Sequence, residues 1–160
     1  METQRIKKSP RLSVSVFQIY AMTDLYPFST TLKVRFNETD AQGHVNFAQY
    51  LNLFDVALVE YLSHIGFSYK RILEENFDML YVDAHASYHA PAYFDDLLRI
   101  HCRAGKVGGS SARFDFEIFN ETKENRLTAK GEITVVTAER NTLKKLRVPE
   151  NFRKALESHS

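Results

Sequence analysis

Between Thr31 and Phe36, Leu32, Val34 and Phe36 alternate with Thr31, Lys33 and Arg35, the period of a half-buried strand. Asn37 to Gly43 is too polar and turn-prone to continue that strand and reads as a loop. The period then changes. From Phe47 to Ile65 the apolar residues Phe47, Tyr50, Leu51, Leu53, Phe54, Val56, Ala57, Leu58, Val59, Tyr61 and Leu62 cover nearly the whole circumference of a helix. A helix apolar on most sides is a buried helix. Asn46, followed three residues later by Gln49, has the form of a capping box, and Gly66 marks the stop. Tyr69 to Glu75 predicts one or two further turns.

After Asn76 the period returns to two and stays there. Leu80, Val82, Ala84, Ala86 and Tyr88 share one strand face until Ala90-Pro91 ends the run. Leu98, Ile100, Cys102 and Ala104 then oppose Arg99, His101 and Arg103, and Gly108-Gly109 reads as a tight hairpin turn. Phe114, Phe116 and Ile118 alternate with charged residues up to a turn at Asn120 to Asn125. The last strand runs from about Leu127 to Thr137, and Pro149 to Glu157 predicts a short terminal helix. One buried helix and a series of hairpin-linked strands require an antiparallel sheet that wraps the helix, so the fold class is α+β. The domain spans residues 30–149, with a C-terminal helix and tail at 150–160. Residues 1–29 form a leader, either disordered or an extra edge strand, since Leu12, Val14 and Val16 alternate. A start at Met22 rather than Met1 is a further reading of that leader.

Composition narrows the function classes. A chain of 160 residues with 44% hydrophobic content suits one domain around one core. With 21 Lys+Arg against 20 Asp+Glu the net charge is +1, which gives no global pull toward nucleic acid or anionic membrane. No stretch approaches the roughly 18 apolar residues of a membrane span. The single cysteine, Cys102, can form no internal disulfide, and nothing in the chain needs an oxidising compartment, so a cytoplasmic protein with a small-molecule partner is expected. G-x-x-x-x-G-K-[ST], G-x-G-x-x-G and G-x-S-x-G are all missing, so neither a nucleotide cofactor nor a serine nucleophile is indicated. His85 and His89 would stand about 13 Å apart on a strand, too far to share a metal ion.

The densest chemistry lies in the loop before the long helix, Arg35-Phe-Asn-Glu-Thr-Asp-Ala-Gln-Gly-His-Val-Asn-Phe-Ala-Gln-Tyr50. It resembles the R-x-x-[ED]-[TC]-D-x-x-G-x-V-x-x-x-x-Y signature of hotdog-fold acyl-CoA thioesterases of the 4-hydroxybenzoyl-CoA thioesterase type. Arg35, Glu38, Thr39, Asp40, Gly43, Val45 and Tyr50 fit it. Tyr88-His-Ala-Pro-Ala-Tyr-Phe-Asp-Asp96 is similar to the family's Y-x-x-P-A-x-x-D-D segment, and the Gly-Gly-Ser-Ser turn at 108–111 extends the resemblance over Thr30 to Pro149.

The resemblance implies a hotdog fold, about five antiparallel strands around one long helix. It implies hydrolysis of an acyl-CoA, ahead of an acyl carrier protein thioester, without a cofactor. Asp40 matches the aspartate that serves as nucleophile or general base, and the polarising backbone N–H maps to Phe47. Elementary chemistry agrees, because a helix N-terminus offers unpaired amides and partial positive charge to a developing oxyanion. The context of Asp40 also suits a turn aspartate. His44 is placed to hydrogen-bond the thioester or the carboxylate, or is an ordinary loop histidine. Asn46 caps the helix, and Glu38 pairs with Arg35 to fix the loop. Tyr50, Phe54, Gly109, Ser110 and Ser111 are the substrate-binding candidates, with the two serines guiding the pantetheine arm. Some members carry a histidine and a tyrosine where this chain has Phe47 and Phe36, so a more apolar acyl pocket is expected. A homodimer or homotetramer follows, with the site at an interface between edge-joined sheets. Two other functions remain open: a hotdog hydratase, whose D-x-N-P-x-H pattern is missing, and a non-enzymatic acyl-thioester binder.

Overall fold

The computed structural model describes residues 25–160. The leader expectations, with the choice between Met1 and Met22, lie largely outside the described residues. Five strands, β1 (Phe28–Lys33), β2 (Phe77–Tyr88), β3 (Leu97–Val107), β4 (Ser111–Asn120) and β5 (Arg126–Glu139), form one antiparallel sheet in the order β1-β3-β4-β5-β2. Three helices accompany it: α1 (Gln49–His64), α2 (Tyr69–Glu74) and α3 (Glu150–Ser158). The sheet curls round α1, as the α+β hotdog expectation requires.

α1 is helical because its apolar residues recur every three or four positions and sink one face into the sheet. Tyr50, Leu53, Phe54, Ala57, Leu58, Tyr61 and Leu62 are buried. The Phe54 ring stacks on Phe116 at 4.9 Å and lies over Gly131. A Cβ at Gly131 would sit 2.2 Å from that ring, so only glycine lets the helix approach β5 this closely. The Tyr61 hydroxyl is also satisfied, donating to the His159 carbonyl at 3.1 Å and accepting the Ala104 N–H at 3.3 Å.

Several expectations need correction. α1 is not enclosed on all sides: Leu51, Val56 and Val59 remain exposed, because one chain has a single sheet and therefore covers a single helix face. The helix begins at Gln49 with Ala48 as its N-cap, and the anticipated capping box does not form. Asn46 instead accepts the Ala48 N–H on its side chain at 2.9 Å and the Gln49 N–H on its carbonyl at 2.9 Å, capping the turn just before the helix. Gln49 turns outward and accepts from Asn52. In β1, pairing ends at Lys33, so Phe36 swings out as part of a 3-10 turn, Phe36–Glu38. In β2 a bulge at Val82 breaks the alternation, and Tyr81 to His85 are exposed one after another. Residues 150–160 are more than a tail, since Phe152 and Leu156 are fully buried beside Phe67 and Phe77.

Candidate active site

The loop from Arg35 to Ala48 reaches its shape through a small number of local bonds. Glu38 is buried, and its two oxygens take the Arg35 N–H at 2.7 Å, Nε at 3.0 Å and an Nη at 2.6 Å. The anticipated Arg35–Glu38 pair is therefore present and closes the 3-10 turn. Residues 39–45 then fold back on themselves, with the Asp40 N–H donating to the His44 carbonyl and the Gly43 N–H to the Asp40 carbonyl. Gly43 has φ +81, in the left-handed region that favours glycine, so the reversal needs this residue.

This hairpin presents Asp40 with its two oxygens in different states. Oδ1 accepts the Gln42 N–H at 2.8 Å, the bond of a turn aspartate. Oδ2 lies 3.8 Å from His44 Nδ1, beyond hydrogen-bond range, and takes no hydrogen bond among the described residues. Both side chains are partly open to solvent, 24% for Asp40 and 34% for His44. The turn role thus occupies one oxygen of the carboxylate and leaves the other without a hydrogen bond among the described residues.

The chain enters α1 at Gln49, two residues after Phe47. Phe47 is 68% exposed, and no acceptor for its N–H is found among the described residues. Its carbonyl is held by the Tyr88 hydroxyl at 3.0 Å, which anchors the helix start to the end of β2. Asp40 and His44 therefore sit on the hairpin, and Asn46 and Phe47 on the turn that leads from it into α1. A free carboxylate oxygen shares the site with a free amide at the positive end of a sixteen-residue helix.

The other candidates are placed differently. Tyr50 is 3% exposed; burial pushes its hydroxyl up to about 12, against the Ala92 N–H bond, which lowers it. Phe54 is fully buried on Phe116. Within one chain both are buried, Tyr50 against Tyr88 and Phe54 against the sheet at Phe116 and Gly131. Gly109, Ser110 and Ser111 lie at the opposite end of the sheet, about 30 Å away along β3 by the rise of a strand. A single chain does not bring them to Asp40.

Residues not singled out for roles hold the site in register. The Val45 N–H donates to the Ala92 carbonyl, and His44 forms a bridge pair with Tyr93. The segment carrying both is pinned by Asp96, which is buried and accepts the Tyr93 N–H at 2.9 Å and the Asn120 amide at 2.7 Å on one oxygen. The Y-x-x-P-A-x-x-D-D similarity flagged this segment, yet its docking on residues some fifty positions earlier is a tertiary fact. Among the described residues no group of His, Cys, Asp and Glu could hold a metal ion, and no helix is long and apolar enough to cross a membrane.

Comparison with known proteins gives this geometry a context. The model of a thioesterase-like superfamily matches residues 34–156. An acyl-CoA thioester hydrolase of Escherichia coli, YbgC, is 30% identical over 125 residues, 78% of this chain and 92% of that one. A crystal structure of a 1,4-dihydroxy-2-naphthoyl-CoA thioesterase from Synechocystis superposes with a TM-score of 0.73 at 25% identity, covering 81% of this chain and 94% of that one. A structure from Aquifex aeolicus superposes with a TM-score of 0.75 at 25% identity, covering 81% and 99%. The match to the superfamily model covers the 3-10 turn, the Asp40 hairpin, the helix start and the Tyr93–Asp96 segment together, and the chain belongs to the thioesterase-like superfamily as a thioester hydrolase of hotdog fold.

Proposed function

We propose that the protein hydrolyses acyl-CoA thioesters to free acid and CoA, with Asp40 as nucleophile or general base and the Phe47 N–H as the polarising donor. The observation that carries this reading is the split state of Asp40, whose Oδ1 is fixed by the turn while Oδ2 remains uncommitted beside a helix start with a free amide. As a base, Oδ2 takes a proton from water as the water oxygen bonds to the thioester carbon. The negative charge that develops on the carbonyl oxygen is met by the Phe47 N–H and the helix dipole. The C–S bond then breaks, and the thiolate takes up a proton. As a nucleophile, the same oxygen attacks the carbon directly, and water releases the acyl group from Asp40 afterwards. His44 orients the water or the carboxylate, and Asn46 holds the Phe47 turn in place.

The acyl-CoA assignment, ahead of a carrier-protein thioester, draws on the names of the relatives. The substrate lies at a homodimer interface, possible because β2 is an edge strand whose Tyr81 to His85 run is unpaired on one side. Such a dimer also covers the open face of α1. The single cysteine, buried and unpaired, fits a cytoplasmic protein.

The test is release of free thiol from short, medium, long and aromatic acyl-CoAs. Asp40→Asn keeps the size of the side chain and removes its charge. Its kcat should fall by at least about 10²-fold, with KM nearly unchanged and the far-UV spectrum intact. Near wild-type turnover of Asp40→Asn, with His44→Ala inactive, would transfer the base role to His44.

A further inference from the structure

The sheet order leaves β1 and β2 as edges, six and twelve residues long. On β2 the residues from Tyr81 to His85 are exposed one after another. Tyr81 is committed, since its hydroxyl donates to Asp55 on α1 at 2.5 Å. Asp83 and His85 have no hydrogen bond or ion pair from their side chains among the described residues. A lone carboxylate in the middle of an edge ordinarily guards a strand against pairing with another. An imidazole two residues further on changes that, because the edge then carries both halves of an ion pair.

Symmetry limits how such an edge meets its own copy. In an antiparallel pair about a two-fold axis, a residue some places before the axis faces the copy's residue the same number of places after it. Residues directly opposite each other point to one face of the sheet. Beyond the bulge at Val82 the faces alternate: His85 and Ser87 share the convex face with Arg103, Asp115 and Lys130, while Tyr88 packs on Tyr50 of α1. Asp83 falls on the face of His85 by the two-residue period. An axis at Asp83 sets that carboxylate against its own copy, which is unfavourable. An axis at His85 sets imidazole against imidazole. An axis at Ala86 sends Asp83 to His89, beyond the last residue of β2. An axis at Ala84 sets Asp83 of each chain against His85 of the other, twice by symmetry. Within its own chain His85 stands across from Glu132 on β5, which Arg113 answers only at 3.6 Å. The other charges of that face are paired, Lys130 with Glu117 and Asp115 with Arg103 and Arg113.

We propose that a second copy of the chain docks on β2 with the two-fold axis at Ala84, latched by Asp83 of each chain against a protonated His85 of the other. The proposal rests on the interface reading above and adds to it a register and a control by pH. The run between the bulges of the two strands is short, so two ion pairs weigh heavily in it. An imidazole takes up its proton in the range of about pH 5 to 8, so the pairs exist on the acid side of that range and are lost on the alkaline side. Protons are therefore taken up as the dimer forms, and its dissociation constant rises with pH. With substrate held between the copies, dilute enzyme should lose activity as pH rises and regain it on concentration.

Oxidation of single-cysteine variants reads the register. Opposite Cα atoms of antiparallel strands are about 4.5–5.5 Å apart, within disulfide reach, and the native Cys102 is buried. Ala84→Cys keeps both charged groups and should give a disulfide-linked dimer near neutral pH, whereas Ala86→Cys should not link. Sedimentation reads the pH response. Between about pH 6 and about pH 8 the wild-type dissociation constant, or the subunit-exchange rate where the dimer survives dilution, should rise at least about tenfold. Asp83→Asn and His85→Gln should each abolish most of that rise. The exchange of the two residues, Asp83→His with His85→Asp, keeps the pair in the same register and should restore it. Linking through Ala86→Cys in place of Ala84→Cys, assembly that ignores pH, single variants as pH-sensitive as wild type, or an exchange that restores nothing would each overturn the proposal. A wild type that is monomeric at both pH values would overturn it together with the interface reading. Linking through Ala84→Cys and pH-dependent assembly, without thiol release from any acyl-CoA, would overturn the hydrolase reading and leave the latch standing.

Discussion

At the Asp40 end of the sheet, acidic side chains are committed; at the Gly108 end, basic ones are free. Glu38 and Asp96 are both buried, and each accepts backbone and side-chain donors that lock a loop. Asp40 is held by one oxygen, with Oδ2 left over. At the far end the backbone is the committed part, through Thr137, Val148 and Arg153, and Lys144, Lys145 and Arg147 are exposed. The difference teaches that one loop is locked through its buried side chains and the other through its backbone, and only the first arrangement fixes a side chain as closely as bond-breaking chemistry requires.

Three changes sharpen that contrast. The largest effect is expected for Asp96→Ala, which leaves the Tyr93 N–H and the Asn120 amide without their acceptor. Losing hydrogen bonds to a buried carboxylate should cost about 3 kcal/mol, read as a shift in the denaturation midpoint. If the clamp positions the site, kcat should also drop in the fraction that stays folded, while CoA affinity stays near wild type. An equal loss of CoA affinity would mean that the two ends are not independent.

Thr137→Val is the counterpart at the Gly108 end, where Thr137 holds the Ser110 and Leu146 carbonyls. The swap keeps the shape of the side chain and removes the donor to Leu146, at a cost of about 1–2 kcal/mol. KM for acyl-CoA should rise and kcat should hold; a fall in kcat alone would count against the division of labour between the two ends. Smallest is Asn46→Ala, which removes the cap on the Ala48 N–H and should lower stability by about 1 kcal/mol with a modest loss of rate. A rate loss as large as that of Asp40→Asn would instead make Asn46 a direct participant in the chemistry.

Much of the fold was legible because it is written in short periods. Alternation located the strands to within a few residues, and the three- and four-residue spacing located α1. Misreadings arose where a residue's fate depends on a distant neighbour. Phe36 continues the alternation of β1 but lies beyond the last residue that β3 pairs with. Val82 continues that of β2 but sits in a bulge set by pairing with β5. Gly131 looks like a weak point in a strand until Phe54 is seen lying over it.

The same division holds for the site. The sequence by itself determined that Asp40, His44, Asn46 and Phe47 share one loop and helix start, because they lie within eight consecutive residues. It also determined the Arg35–Glu38 pair, which is local. Only the tertiary structure decided that Oδ1 of Asp40 is occupied and Oδ2 is not, that Asp96 and Asn120 clamp the loop across the sheet, and that Tyr50 and Phe54 are buried. It alone placed Ser110 and Ser111 beyond the far end of β3, whose 11 residues separate them from the segment that carries Asp96. The physical reason is range. Backbone turns and helix starts are set by neighbours a few residues away, whereas burial, hydrogen-bond commitment and the meeting of sheet ends are set by contacts between segments that chain order does not relate.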